Sequence, residues 1–142
     1  MATINIYNKF KLYLADGTID MDNDQFKIAL LDSNHSFVPT HTDFSQVSAN
    51  ELSAGNGYSS GGKLLANTSW IESGGTVTFD ADNVTWTATG GALGPAAHAV
   101  IYDDTATDDK LVASIDFQEG KTAGEGTEFR ITFNASGILR LS

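Results

Sequence analysis

Short segments in which apolar and polar residues alternate fill most of the sequence after residue 63. Val77 and Phe79 alternate with threonine and aspartate, and Val84 and Trp86 alternate with threonine. Successive side chains of a β-strand point to opposite faces, so this alternation is typical of strands with one buried face. Glycine, asparagine and aspartate separate the segments. The pattern predicts a mainly β protein, a single antiparallel β-sandwich or jelly-roll-like domain over residues 1–142.

An earlier segment, residues 25–32, gives an equally clear strand signal. Phe26, Ile28 and Leu30 fall on one face of the predicted strand, and the residues between them fall on the other. Loops rich in small residues are expected at residues 90–97 and around residues 120–126. The remaining strands, which bring the total to about seven or eight, are predicted at residues 63–72, 76–80, 84–87, 99–102, 111–117, 129–133 and 138–141.

The N-terminal segment, residues 1–20, allows two interpretations. Apolar residues at helical spacing favour a short helix over residues 6–16, with Asn5 as its cap and Gly17 at its end. Read with a period of two, residues 4–14 instead form a strand. We favour the helix.

Residues 33–62 are predicted to be a long loop region. Residues 33–50 are polar and contain Pro39, and only residues 43–47 indicate a single helical turn. Long connections inside compact domains usually have a functional or interaction role.

The second half of this loop region, with the residues just after it, is rich in glycine. Gly57 and Gly62 have the spacing of a phosphate-binding P-loop, but Leu64 stands where such a loop needs serine or threonine to hold magnesium. A strand is predicted to follow, where a P-loop needs a helix. We therefore interpret residues 51–65 as a structural loop with a buried tyrosine anchor, in which Glu51 accepts backbone N–H groups. Its structural residues are Glu51, Gly55, Gly57, Tyr58, Gly61 and Gly62.

The charge of the chain limits its partners. It has 18 acidic and 8 basic residues, for a net charge of −10, and the basic residues form no tract. Nucleic-acid binding depends on lysine and arginine that displace counterions, so no direct contact with nucleic acid is expected. No apolar segment has the length of a membrane span, and Lys9 and Lys11 interrupt any signal-peptide core. The absence of cysteine excludes disulfides and a catalytic thiol.

Three further patterns approach known sites without completing them. Asp20, Asp22 and Asp24 alternate as in a calcium loop, but the glycine and glutamate needed later in that loop are missing. The histidines share no metal-ligand spacing; we expect His35 and His41 in a surface loop and the third on a strand. No serine nucleophile elbow is present. The sequence therefore predicts no catalytic residue, no metal and no cofactor.

The order of several segments resembles that of small virion structural proteins of tailed bacteriophages. The resemblance covers most of the chain, and its motifs are structural rather than catalytic. The segments that carry it are Tyr7–Phe10, Asp24–Leu31, Glu51, Gly55–Tyr58, Gly61-Gly62, Phe79–Trp86, Ala99–Asp104 and Phe133–Ile138.

This resemblance implies a capsid decoration, or cement, protein. Such a protein binds the outside of the major capsid protein lattice in many copies, is assembled in the host cytoplasm, and has no catalytic residues. A homo-oligomer, either a dimer or a trimer, is expected, with no membrane contact. The N-terminal segment and the 33–50 connection are the expected contact regions. The candidate partner contacts are Tyr7, Phe10, Phe37, Phe44 and Trp70.

Two alternatives remain at this stage. One is a phage tail or tail-fibre component with a receptor- or carbohydrate-binding β-sandwich, in which Trp70 stacks on a sugar. Trp86 and Tyr102 are less suited to that role, because they lie inside alternating strands and are expected in the core. The other alternative is a small hydrolase, against which the missing nucleophile motif argues.

Overall fold

Antiparallel β-strands are the main regular elements in the computed structural model, which describes residues 3–142. One α-helix, α1 (Asn8–Asp16), follows the first strand. This confirms a mainly β protein with one short N-terminal helix. The strands are β1 (Thr3–Ile6), β2 (Phe26–Leu31), β3 (Lys63–Leu64), β4 (Ser69–Ser73), β5 (Thr76–Asp80), β6 (Val84–Thr87), β7 (Leu93–Asp103), β8 (Lys110–Ala123), β9 (Glu128–Ile131) and β10 (Leu139–Leu141).

The strands form three sheets. The largest has the order β1-β8-β7-β2-β3, the second has the order β10-β5-β4, and the third pairs β6 with β9. In the largest sheet, β2 pairs with β7 along its whole length, from Phe26 opposite Asp103 to Leu31 opposite His98. The long strands β7 and β8 therefore lie inside the largest sheet, and β1 and β2 pair with them from either side.

The two faces of β2 contribute to two different clusters of buried residues. Phe26, Ile28 and Leu30 belong to the larger cluster, here called the main core, and Ala29 and Leu31 belong to a smaller one, the second core. The alternation predicted for residues 25–32 is confirmed. Since Lys27 is the one charged residue of the strand, β2 is apolar on both faces, as a strand covered on both sides must be.

All three sheets contribute to the main core. The predicted core position of Trp86 is confirmed, since its side chain is 2% exposed and packs edge-on against Phe129 at 6.2 Å between ring centroids. Further members from the three sheets are Ile101, Ile115, Phe79, Val84, Ile131 and Leu139.

The 33–50 connection covers the second core. Val47 is fully buried there, and Phe37 and Phe44 pack against it from the side of the solvent. Tyr102 belongs to this cluster, as predicted for a core residue. The long connection is thus a layer over the largest sheet and not a free loop.

The start of the chain differs from the favoured prediction. The helix begins at Asn8 rather than residue 6, because residues 3–6 are paired with β8, with Ile6 opposite Ala113. Asn5 lies in that strand and does not cap the helix; Tyr7, in extended conformation, takes the cap position without a side-chain hydrogen bond. Gly17 ends the helix as predicted, with a φ of 84°. Both interpretations of the segment were therefore partly right.

Within residues 33–62 the regular elements are two 3-10 turns, Phe44–Gln46 and Ser48–Asn50. The first confirms the turn expected near residues 43–47. A capping box holds it, in which Asp43 and Gln46 exchange side-chain to backbone hydrogen bonds. Asp43 also accepts a hydrogen bond from Lys110 at 2.7 Å, which attaches the turn to β8.

Strands β7 and β8 are longer than predicted. β7 begins at Leu93, inside the predicted 90–97 loop, and β8 runs through Gly120 to Ala123. Local residue preference is against strand there, but the two segments pair with each other, and register shifts between Leu93 and His98 accommodate the irregular residues. Tertiary pairing decides the outcome, and it is not visible in the sequence pattern.

Candidate functional site

The glycine-rich stretch is a hydrogen-bonded loop attached to β2. The Tyr58 hydroxyl donates to Glu51 Oε2 at 2.5 Å and accepts from the Leu30 backbone N–H at 3.0 Å. Glu51 Oε2 also accepts from the Gly61 N–H at 2.7 Å. The predicted roles of Glu51 as backbone acceptor and Tyr58 as buried anchor are both confirmed.

Burial, together with the bond to Glu51, raises the pKa of the Tyr58 hydroxyl far above its usual range. The hydroxyl therefore keeps its proton at physiological pH and can only donate to the carboxylate. A second tyrosine, Tyr102, donates to the Gly61 carbonyl at 2.5 Å. The loop is thus fixed from both of its ends.

Two glycines bring this loop into backbone contact with the sheets. A Cβ at Gly62 would lie 1.9 Å from the Ile28 carbonyl oxygen, and a Cβ at Gly57 would lie 2.0 Å from the Thr87 carbonyl oxygen. Both have positive φ, as does Gly55, for which turn geometry was predicted. The structural interpretation of the stretch is therefore confirmed, and Gly57 and Gly62 serve close packing.

The proposed contact residues of the N-terminal segment are not on the surface. Tyr7 and Phe10 are fully buried, so their prediction as partner contacts is wrong. Tyr7 packs in the second core with its ring 4.9 Å from that of Phe37, and Phe10 is the helical residue that enters the main core. The apolar face of α1 and the end of β1 therefore hold the N-terminal segment against the sheet.

The other three candidates are half-buried. Phe44 stacks on Tyr102 at 4.3 Å between ring centroids, and Phe37 packs against Tyr7. Trp70 lies on β4 opposite Phe79 and packs against the main core. Each of the three residues is partly exposed, so each stays a candidate contact.

The most exposed apolar strand residues were not singled out from the sequence. Ile4, Leu64 and Ile71 are 38%, 45% and 61% exposed, and they lie on β1, β3 and β4. Each of these strands is an edge of its sheet. The sequence gives no signal for this, because alternation identifies a strand but not its place in a sheet.

His35 is buried, contrary to the prediction of a surface loop. Its side chain is 4% exposed, its Nε2 lies 3.2 Å from Ser114 Oγ, and its ring packs edge-on against His98 at 4.9 Å. His98 is half-buried and lies 3.8 Å from Asp116. His98 meets Asp116 because the two residues are opposite each other on β7 and β8. His35 comes shortly after β2, whose last residue, Leu31, is opposite His98.

Burial, followed by the nearby His98 and His41, lowers the pKa of His35 to about 4. His35 is therefore a neutral, packed side chain at physiological pH. Across residues 3–142 no three histidine, aspartate or glutamate side chains are placed to hold a metal ion together.

The calcium-like aspartates bind their own backbone. Asp20 Oδ1 accepts from the N–H groups of Asp22 and Asn23, and Asp24 Oδ2 accepts from the Asp20 N–H. The side-chain amide of Asn23, which donates to Asp20 Oδ2, and then the Asp22 N–H lower the pKa of Asp20 below its usual range. The motif forms a closed turn, as expected for the non-binding interpretation.

One carboxyl group is fully buried at the end of β7. Asp103 Oδ1 accepts from the N–H groups of Thr105 and Ala106, whereas its Oδ2 is buried without a hydrogen-bond partner. Burial, followed by the neighbouring Asp24 carboxyl, raises the pKa of Asp103 to about 7.

A cleft of about 830 Å³ lies beside β9 and β10. The buried side chains of Ile115 and Phe117, from β8, form part of its floor, and Ile4 of β1 adjoins them. Three of the eight basic residues of the chain line this cleft, and no acidic residue in the part that the structure describes does so. The three basic residues are Lys121, Arg130 and Arg140.

Comparison with models of protein families, with curated proteins and with solved structures finds no match to this chain. Over residues 3–142, no helix has both the length and the apolar character needed to cross a membrane.

We expect Gly62→Val to abolish folding or strongly lower the thermal unfolding midpoint, because the new side chain would overlap the Ile28 carbonyl. Gly126→Val is the matched control, with a φ of 82° against 84° and no atom within 4 Å of its Cβ position. Differential scanning calorimetry would measure both variants. Equal losses of stability would contradict the role of close packing at Gly62.

Lys63→Ala distinguishes a structural loop from a P-loop, because Lys63 stands at the position of the P-loop lysine and would be essential only in a P-loop. The Lys63 ammonium donates to the Thr85 carbonyl and lies 5.7 Å from the centre of the Trp86 ring, but the side chain is exposed. Its loss should therefore cost only about 1 kcal/mol of unfolding free energy.

We expect stability to decrease as the pH falls from about 6.5 to about 4, on account of His35. Its pKa is lower in the folded chain than in the unfolded one, so the unfolded state binds the extra proton in this range. His35→Gln should flatten the dependence by on the order of 2 kcal/mol. Urea titrations across this range would measure it, and an unchanged slope in the variant would contradict the assignment.

Asp103 should act in the opposite direction. Its pKa is raised in the folded chain, so its contribution is complete at acid pH and is lost as the pH rises towards 7. Asp103→Asn keeps an acceptor for the two backbone N–H groups. At about pH 8, where the buried Asp103 carboxyl of the native chain is ionised, the variant should be more stable than the native chain. Asp22→Asn, at an exposed carboxylate, is the control and should show no such gain in thermal melts.

Proposed function

We propose that this chain is a non-enzymatic structural protein of a tailed-bacteriophage virion, which binds the outside of the major capsid protein lattice as a decoration protein. The observation that carries the proposal is the position of the exposed apolar side chains. Ile4, Leu64 and Ile71 all lie on strands at the edges of sheets.

An edge strand has unpaired backbone N–H and C=O groups that can pair with another polypeptide. Proteins usually protect such edges with charged residues or proline, because a free apolar edge leads to association. Ile71, the most exposed of the three, lies at the middle of β4, between Trp70 and Glu72. Apolar residues kept at several edges support a role in binding other protein subunits.

The charge supports a place on the outer side of a capsid. A net charge of −10 is unfavourable beside packaged nucleic acid and favourable for a surface that faces water.

Three titratable groups that the sequence brings to attention have structural partners. Glu51 holds the Tyr58 loop, Asp20 closes a turn, and His35 is packed against Ser114 and His98. Groups that are already committed to backbone and core contacts support the non-enzymatic part of the proposal.

We also propose that the three sheets are arranged as a β-sandwich with jelly-roll-like character. The supporting observation is the composition of the main core. Phe26 and Ile115 of the largest sheet pack there with residues of the two smaller sheets, among them Phe79 and Trp86. The single domain would cover residues 1–142.

In the proposed role, the chain would bridge neighbouring capsid subunits. Binding to the assembled lattice, and not to separated subunits, would stabilise the head by mass action. The chain would act as a dimer or trimer on the virion exterior, after assembly in the host cytoplasm, with no membrane contact and no direct contact with nucleic acid.

The alternative, a tail or tail-fibre component with a receptor- or carbohydrate-binding site, has one supporting observation. Trp70 borders a shallow pocket of about 280 Å³ with Leu14, Ile19 and Asp20. The Trp70 ring is half-buried against the main core, which leaves less of it for sugar stacking. Loss of host adsorption in Trp70→Ala, with normal head stability, would favour this alternative.

The decoration role can be tested on the particle that contains the chain. Purified protein is expected to bind expanded, undecorated capsids to saturation at a fixed ratio to the major capsid protein, as measured by sedimentation and quantitative mass spectrometry. A particle that holds only a few copies, or a capsid that binds none, would contradict the proposal.

Substitutions at the edges test the observation that carries it. At least one of Ile4→Asp, Leu64→Asp and Ile71→Asp should weaken capsid binding by about tenfold or more, because each places a charge in a proposed apolar contact. Leu12→Asp is the matched control, since Leu12 is 50% exposed but lies on α1. Equal effects of all four variants would contradict the assignment of the edges as contacts.

A further inference from the structure

The cleft beside β9 and β10 lies between two strands with free edges. In residues 3–142, β9 pairs only with β6, and β10 pairs only with β5. Residues of both strands, and of the connection between them, line the cleft. The open space is thus bordered by two strands that each have one unpaired edge.

The floor of the cleft is apolar. Ile115 and Phe117 are buried members of the main core, and the partly exposed side chains of Ile4 and Phe133 adjoin them. Ile115 and Phe117 are already buried, so a chain segment in the cleft would cover mainly Ile4 and Phe133, with a gain of about 25 cal/mol for each Å² of apolar surface removed from water.

The outer rim is basic. On β9, Arg130 is exposed between the buried Phe129 and Ile131, so its side chain points away from the core. On β10, Arg140 is likewise exposed and follows the buried Leu139. The two guanidinium groups therefore lie on the outward faces of the two strands, and Lys121 adds a third cation to the lining.

We propose that this cleft binds an extended segment of a different polypeptide, in which apolar and acidic residues alternate. The segment would add a strand to β9, to β10 or to both. Its inward side chains would contact the apolar floor, and its outward carboxylates would pair with Arg130 and Arg140 across the new strand pairs. The inference deepens the proposed function, and it rests on that function for the identity of the partner, a capsid subunit.

Charge complementarity selects this occupant. The chain as a whole has a net charge of −10, yet the lining of the cleft has three cations and no carboxylate among the residues that the structure describes. A basic segment would meet repulsion there, and a purely apolar one would leave the two arginines without partners.

A second copy of this chain fits the cleft less well. The alternating segment Thr76–Asp80, in which Val77 and Phe79 alternate with threonine and aspartate, is already held in a strand of its own sheet. To donate it, a copy would have to open its own fold. A flexible tail or loop of another protein carries no such cost.

The test uses the isolated protein and a fluorescein-labelled peptide of alternating valine and aspartate. Fluorescence anisotropy should show saturable binding of this peptide, and binding at least about tenfold weaker for a valine-lysine peptide and for a peptide of the same composition with its valines grouped together. Equal binding of all three peptides, or no binding of the alternating one, would overturn the inference.

The double variant Arg130→Ala/Arg140→Ala should weaken binding at least about tenfold, and raised salt should weaken it further. Lys9→Ala/Lys11→Ala removes the same charge from exposed helix positions away from the cleft and is the matched control. If the control loses as much affinity as the double variant, the attraction is non-specific and the inference fails.

Hydrogen exchange distinguishes strand addition from loose adsorption. The peptide should slow amide exchange within Glu128–Ile131, Leu139–Leu141 or both. Binding without such protection would overturn the strand-addition geometry. Self-association that the arginine double variant abolishes would instead identify a second copy as the occupant, and would overturn the choice of a different polypeptide.

The inference and the proposed function can fail separately. A chain that binds the peptide but not the capsid contradicts only the decoration role. A chain that binds the capsid in stoichiometric amounts but not the peptide contradicts only the role of the cleft.

Discussion

The hydrogen bonding of β2 on the side away from β7 is the constraint on which much of the structure depends. The short strand β3 pairs with only Lys27 and Ile28 there. Beyond it, the glycine-rich loop and its neighbours supply the missing partners. The Leu30 N–H donates to the Tyr58 hydroxyl, and the Leu30 carbonyl accepts from the Leu52 N–H. Because β2 is buried on both faces, unpaired groups along it would be costly.

This requirement explains why an irregular loop has so many hydrogen bonds and close backbone contacts. A loop can follow the edge of a strand only if its own backbone comes close, and at Gly62 there is no room for a side chain against Ile28. It also needs side-chain groups where backbone groups do not reach, and Glu51 and Tyr58 provide them. The glycines and the partly buried Glu51–Tyr58 pair therefore both serve to complete the hydrogen bonding along β2.

Sequence reasoning succeeded where local pattern determines structure. The alternation of Phe26, Ile28 and Leu30 identified both the strand and its core face, and Gly17 marked the end of the helix. It also found the roles of Glu51 and Tyr58, because a buried tyrosine in a glycine-rich loop needs a partner for its hydroxyl. These inferences use only neighbouring residues.

It failed where the outcome depends on what covers a residue. Tyr7 and Phe10 were recognisable as apolar, but nothing in their spacing shows that the 33–50 connection and the sheets enclose them. His35 lies 79 positions from Ser114 in the sequence, and only the fold brings them together. The cleft was also missed, since Arg130 and Arg140 become neighbours of one space only through β9 and β10.

The pairing of the first strands with the last long ones has a consequence for synthesis on the ribosome. β1 pairs with β8, and β2 pairs with β7, whose first residue is Leu93. The N-terminal part of the chain therefore emerges long before its principal sheet partners exist. Its apolar segments must stay uncommitted during that interval, so nascent chains should depend on delayed folding or on transient protection until residue 123 has left the exit tunnel.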